Sequence, residues 1–233
     1  MSIILMPDTL KLSPSSLNAF RDCPKCFWLD RHDKKMPGGP FPSLPGGIDL
    51  IVKAYYDRYR KDGLPPLLHG KVDCKLVDGP LSEIARKTLS WTDPETGAIL
   101  IGKMDDCFCD GETLIVMDNK TRGFPFKEGY DKDKAAQELL DIYRFQLETY
   151  AFLLAKMSYK VANFGYLVYY IPERSDDISK GIKFYAEPKK IMLKPARILP
   201  VFRKAVAVAR MAKPPKQHTE CELCRWVWEV GEM

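Results

Sequence analysis

Gly102-Lys103-Met104-Asp105 and Asp118-Asn119-Lys120, joined through Asp110-Gly111, decide how this chain is read. Residues 98–109 and 112–120 read as strands. Between Cys109 and Glu112, Asp110-Gly111 is a two-residue hairpin signal, which folds the second strand back along the first. Side chains two apart in a strand share a face. Asp118 and Lys120 therefore converge, and the hairpin brings Asp105 beside them. Two carboxylates and an ammonium are what metal-assisted phosphodiester cleavage needs. Carboxylates hold a hard divalent cation through oxygen. The cation polarises the phosphate and activates a water, while a lysine orients that water or balances developing charge.

Asp118 ends the apolar run Leu114-Ile115-Val116-Met117. A carboxylate at the end of a buried strand is costly unless it is paired or meets a cation. The alternative for Asp105 and Asp118 is a pair of solvated residues at a sheet edge, and Asp106 competes with Asp105 for the role. Farther on, Gln146 and Tyr150 lie four apart, on one face of a helix over about 134–157 whose apolar set includes Leu139, Leu140, Tyr143, Leu147, Ala151 and Leu154. Taken alone, they are a polar residue and a core aromatic on an amphipathic helix.

In order and spacing, this set resembles the PD-(D/E)XK nuclease superfamily, and within it the RecB-type and CRISPR-adaptation exonuclease domains. The resemblance runs from Leu12 to Trp226. Gly102-x-x-Asp105 matches the first family acid, which favours Asp105 over Asp106. Asp118-x-Lys120 matches the (D/E)-x-K element, and Gln146 with Tyr150 the helical Q-x-x-x-Y element. The resemblance implies one α/β domain over residues 1–233, with a restriction-endonuclease-like core: a central mixed sheet flanked by helices. It implies that Asp105, Asp118 and the Asn119 carbonyl hold Mg²⁺ or Mn²⁺, that Lys120 positions the attacking water, and that Gln146 and Tyr150 orient the site and the strand.

RecB-type relatives commonly supply a further histidine ligand from an upstream helix. Here the matching region reads Gly46-Gly47-Ile48-Asp49, and Asp49 is the candidate replacement, since a carboxylate suits Mg²⁺. Its alternative is an acidic residue favourable near a helix N-terminus. His69, in a Pro- and Gly-flanked stretch, reads as a surface residue. The implied activity is end-dependent cutting of single-stranded DNA in repair, recombination or defence, alone or beside a helicase or other repair or defence protein. The rival is a catalytically inactive DNA-binding or scaffold module of the same fold. A third class is a zinc-stapled protein-interaction domain.

Cys23-Pro24-Lys25-Cys26 and Cys221-Glu222-Leu223-Cys224 bracket the chain. Two C-x-x-C pairs supply a full tetrahedral thiolate set, joining N- and C-terminal segments. Spacing alone fits structural Zn²⁺. The resemblance implies a [4Fe–4S] cluster instead, although relatives split their ligands one and three. Cys107 and Cys109 read as small buried hydrophobes.

The 233 residues are 45% hydrophobic, enough for a real core, and no apolar run reaches a membrane span. The N-terminus lacks a basic region ahead of its apolar patch, which disfavours a signal peptide. The expectation is a cytoplasmic protein with no membrane partner. Its net charge of +5 suits nucleic acid without specifying it. Arg122-Gly123-Phe124-Pro125-Phe126-Lys127 has the cationic and aromatic composition that holds single strands, and Lys194, Arg197, Arg203, Lys204 and Arg210 offer more cations or a solvated face. Elsewhere the sequence predicts a helix from Pro14, capped by Ser13, running into the first cysteine pair, and a loop over 36–47. It predicts a helix over 48–60, an inner strand over 161–171, an edge strand over 181–187, and a late helix over 195–212. A second loop is expected over Gly123–Asp133.

Overall fold

The computed structural model describes residues 9–34, 43–126 and 134–231. In chain order the elements are β1 (Lys11–Leu12), α1 (Pro14–Asp22), α2 (Pro24–Arg31), α3 (Ser43–Tyr59), β2 (Lys75–Leu76), α4 (Pro80–Arg86), β3 (Leu89–Thr92), β4 (Ile99–Gly102), β5 (Asp106–Asp110), β6 (Thr113–Thr121), α5 (Lys134–Lys156), β7 (Phe164–Pro172), β8 (Phe184–Met192), α6 (Ile198–Ala209) and α7 (Glu222–Gly231). The protein is an α/β structure with mixed sheets flanked by helices. Among the described residues, no helix is long and apolar enough to cross a membrane.

The chain divides into two compact units. The larger comprises the described residues of Phe41–Leu89 and Lys103–Pro195. Its sheet runs β2-β5-β6-β7-β8, with β6 and β7 parallel and the other neighbours antiparallel. A parallel pair needs a crossover, and α5 supplies it. Both α3 and α5 pack against β6. That explains why Leu114-Ile115-Val116-Met117 is apolar without alternation, since a strand covered on both faces has no wet side. Ile115 and Met117 join Phe108, Val168 and Tyr170 under Val52 and Tyr56 of α3. Gly165 lies where a Cβ would fall 2.7 Å from the Val116 carbonyl, so β6 and β7 meet there without a side chain between them.

The smaller unit comprises the described residues of Met1–Pro40, Ser90–Gly102 and Ala196–Met233. Its sheet runs β1-β4-β3, with β1 parallel to β4. Ser13 caps α1 by accepting from the Ser16 N–H, with Pro14 in the first turn. The helix does not run into the cysteine pair as expected. Cys23 precedes Pro24, which disfavours the helical region, and its extended backbone (φ −158°, ψ 110°) ends α1 and starts α2. Asp93 in the turn between β3 and β4 is fully buried, and Arg203 of α6 grips it with two hydrogen bonds of 2.9 and 3.0 Å. Arg210 donates to the Thr96 carbonyl at 2.9 Å. Two of the late-helix cations thus bind the unit's own turn.

Three further expectations need correction. The helix expected from residue 48 begins at Ser43 and takes in Pro45, Gly46 and Gly47. Proline fits a first turn, whose N–H groups have no helical partner anyway. The continuous strand expected over 98–109 is two strands, β4 and β5, with Lys103-Met104-Asp105 between them. The hairpin loop is Gly111-Glu112, one residue later than expected, because Asp110 pairs with Thr113. Gly111 takes φ +55° at the first central position, where a type II′ turn places glycine. Residues 36–42, Lys127 and the remainder of the expected loop to Asp133 lie outside the described residues.

Candidate active site and cysteine centre

The candidate active site forms where β6 outruns β5. Pairing with β5 ends at Met117, while β6 continues through Asp118–Thr121 against β7 alone. An exposed strand edge has N–H groups to satisfy. Asp105, one residue before β5, takes the place of a pairing strand: its Oδ2 accepts the Asn119 N–H at 2.9 Å. In a strand, a residue's N–H and C=O face the same edge. The Asn119 carbonyl therefore faces the edge that Asp105 occupies.

Asp118 and Lys120 share the face turned to α5. Asp118 is 2% exposed, and Lys120 forms an ion pair with its Oδ2. That oxygen is buried, and among the described residues the Lys120 ammonium is its polar partner. Burial pushes the Asp118 carboxyl up to about 6; Lys120 pulls it down, while Asp105 and Asp49 push it up. The Lys120 ammonium lies 4.3 Å from the centre of the Tyr143 ring and 3.4 Å from Gln146 Oε1. Gln146 Nε2 donates to the Tyr150 hydroxyl at 2.7 Å. Burial raises the Tyr150 hydroxyl above the ordinary tyrosine range, so it stays protonated. Lys120, Gln146 and Tyr150 thus form one chain from sheet to helix.

Asp49 reaches the same place through a lysine that the sequence reading passed over. Lys53 Nζ lies 2.6 Å from Asp49 Oδ2 and 3.5 Å from Asp105 Oδ1. Although burial works against its charged form, these carboxylates hold Lys53 above the ordinary lysine value. The i, i+4 spacing of Asp49 and Lys53 was the available signal. Behind the strand edge, Tyr170 donates to the Tyr56 hydroxyl at 2.8 Å, and Tyr56 donates to Asn119 Oδ1 at 3.1 Å. Asp106, the competitor of Asp105, lies elsewhere: Arg60 holds it with bonds of 2.6 and 3.1 Å. His69 sits away from this set, with Nε2 2.9 Å from the Leu64 carbonyl.

Oxygen donors are what a hard divalent cation takes, and Mg²⁺ commonly uses one or two carboxylates, completing its shell with water and phosphate. Asp105 and Asp118, with the Asn119 carbonyl, fit that demand. A buried carboxylate must meet positive charge: Lys120 supplies one for Asp118, while Asp105 and Asp49 add negative charge that a bound cation would offset.

The smaller unit carries the second centre. Cys23, Cys26, Cys221 and Cys224 converge, with all four sulfurs within 4.8 Å of one another. Among the described residues, this is the group of three or more His, Cys, Asp or Glu side chains gathered that closely. Three of the six pairs are in contact, at 3.4 Å (Cys26–Cys224), 3.8 Å (Cys26–Cys221) and 3.9 Å (Cys23–Cys224). N- and C-terminal segments join here, and the group could hold a metal ion. Against burial, the backbone at His218 and Cys26 and the neighbouring thiols bring Cys23 down to about 7, so one sulfur is readily a thiolate near neutral pH.

No family model matches the chain. No curated protein matches it either. Among solved structures it is similar to the crystal structure of an alkaline exonuclease (LHK-Exo) from Laribacter hongkongensis, at 13% identity over 95% of this chain and 93% of that one, with a TM-score of 0.39. At this identity and score the likeness identifies neither a family nor an activity.

Proposed function

We propose that this chain is a metal-dependent deoxyribonuclease of the PD-(D/E)XK, RecB-like type, acting as one domain over residues 1–233 and cutting single-stranded DNA from an end. The observation that supports the reading is Asp118: a buried carboxylate, ion-paired to Lys120 and pushed up by burial and by the neighbouring Asp105. Asp105, Asp118 and the Asn119 carbonyl hold Mg²⁺ or Mn²⁺, with Asp49 at the margin of the set. When bound, the cation supplies Lewis-acid polarisation of the phosphate and a more acidic water. Lys120 orients the attacking water and balances charge on the phosphate. Gln146 fixes the Lys120 ammonium, and Tyr150 fixes Gln146. The cytoplasm is the compartment this reading implies, where the thiols stay reduced and DNA is at hand.

For the cysteine centre, sulfur spacing favours one ion. Four thiolates around a single Zn²⁺, with bonds of about 2.3 Å, sit about 3.8 Å apart at the corners of a tetrahedron. Three of the six separations are 3.4, 3.8 and 3.9 Å and all lie within 4.8 Å, close to that size. In a [4Fe–4S] cubane each thiolate binds its own iron, so the sulfurs spread over a larger tetrahedron. This spacing supports structural Zn²⁺ over the [4Fe–4S] cluster that the family resemblance implies.

The test is cleavage of end-labelled single- and double-stranded DNA with Mg²⁺ or Mn²⁺, comparing the native chain with Lys120→Ala and Asp118→Ala. Product from the native chain alone supports the reading, and the fragment ladder gives polarity. No product with either metal, from a protein that melts cooperatively, sinks it in favour of a binding module.

A further inference from the structure

Asp105 has one oxygen left to give. Its Oδ2 is taken by the Asn119 N–H at 2.9 Å, and the remaining Oδ1 faces the Lys53 ammonium at 3.5 Å. Lys53 is held more closely by Asp49, at 2.6 Å, one helical turn earlier on α3. The ammonium therefore faces Asp105 Oδ1, yet its nearer anchor is a different carboxylate. Lys53 and Asp105 also line a cavity of about 270 Å³, with Lys103 on its wall. Close by, the buried Asp118 Oδ2 is met by the Lys120 ammonium, with Asp105 and Asp49 adding negative charge around it.

We infer that Lys53 is an internal counter-ion that competes with the divalent cation for Asp105. With the site empty of metal, its ammonium offsets the carboxylates. When a divalent ion arrives, like charges repel across a short distance, and Lys53 withdraws onto Asp49. Metal affinity is therefore set below what the oxygen donors alone would give. The withdrawn ammonium stays beside the cavity, where a phosphate can meet it. This inference rests on the reading of Asp105 and Asp118 as cation ligands.

The test is Mn²⁺ alone, titrated into the full-length chain and followed through the EPR signal of free Mn²⁺. The native protein is compared with Lys53→Met, Lys53→Gln, Lys53→Arg and Asp118→Asn. The site's ion is the one lost in Asp118→Asn, which separates it from metal on the cysteines. Both neutral variants are expected to bind that ion at least about tenfold more tightly, and Lys53→Arg to stay near native affinity. A merely structural lysine predicts the reverse, looser binding when it is removed. Unchanged or weaker Mn²⁺ affinity in both neutral variants, with cleavage and melting retained, overturns this inference and leaves the nuclease reading standing. Absence of any Asp118-dependent Mn²⁺ in the native chain, together with absent cleavage, overturns both.

Discussion

Asp105 accepts the Asn119 N–H at 2.9 Å, so a side chain rather than a strand completes the edge of β6 where the site lies. The adjacent carboxylate has a different task. Asp106 is 3% exposed and bonded twice to Arg60, itself 7% exposed. On the proposed reading the two acids separate function from stability. Asp105→Asn is expected to abolish Mg²⁺-dependent cleavage with a small change in the urea midpoint. Asp106→Ala leaves Arg60 buried without its main counter-charge and is expected to cost about 3–5 kcal/mol. Urea denaturation beside a cleavage assay checks both, and the opposite pairing of outcomes would reassign the first acid to Asp106.

Gln146 links Lys120 to Tyr150, with contacts of 3.4 and 2.7 Å. Tyr150 touches neither phosphate nor cation on this reading; it fixes the amide that fixes the ammonium. Tyr150→Phe keeps the ring in place and removes one acceptor. It is expected to lower kcat by about 10–100-fold, as outer-shell changes do, with KM for DNA nearly unchanged. Lys120→Ala is expected to lose more, about 10²–10⁴-fold. Equal rates for Tyr150→Phe and the native chain would break the proposed relay.

The cysteine centre predicts one tetrahedral ion per chain. Elemental analysis is expected to find about one zinc, and the purified protein to be colourless. Cys26 lies within 3.8 Å of both C-terminal cysteine sulfurs, so Cys26→Ser is expected to lose the metal and lower the melting temperature. Strong chelators are expected to do the same to the native protein. A brown protein carrying iron and labile sulfide would reverse the assignment.

Much of this was legible because it is local. The Asp110-Gly111 signal, the Ser13 cap before Pro14, and the four-residue spacing of Gln146 and Tyr150 depend on turn chemistry and helical period, which neighbouring residues carry. The illegible parts are tertiary. Nothing near Gly102 announces that the strand breaks at Lys103, because the break exists to place Asp105 on a partner fourteen residues later. Pro45, Gly46 and Gly47 read as a loop, yet they belong to a helix that goes on to pack Val52 and Tyr56 into the core. Arg203 looked available for DNA, and only the fold shows that it holds Asp93.

That Arg203–Asp93 pair has a pH signature. Arg203, the Thr96 hydroxyl and the Glu95 N–H hold the Asp93 carboxyl below the ordinary carboxylate value, against its burial. A carboxyl lowered in the folded state stabilises above its unfolded pKa of about 3.9 and loses that contribution as pH falls through its folded value. Asp93→Asn is therefore expected to melt below the native protein at pH 7, with the gap closing as pH drops under 4. Melting curves over a descending pH series measure it. A gap that stays constant to the acid limit would mean that the carboxylate charge is not what matters there.

Among the described glycines, Gly165 leaves the least room for a side chain. A Cβ at this position would lie 2.7 Å from the Val116 carbonyl oxygen, 2.9 Å from Val116 Cγ2 and 3.3 Å from Leu193 Cδ1. The first obstacle is backbone and cannot rotate away. Gly165→Ala must therefore push β7 from β6, or strain both, at a cost of about 1–3 kcal/mol for overpacking. The strain falls on the strand pair that carries Asp118 and Lys120, so Mg²⁺-dependent cleavage is expected to drop along with stability. Alanine at Gly231, where a Cβ meets no described residue within 4 Å, is expected to leave both near native. Urea midpoints of the two variants, measured beside cleavage, decide the matter: equal midpoints would show that β6 and β7 are less tightly apposed at Gly165 than its contacts require.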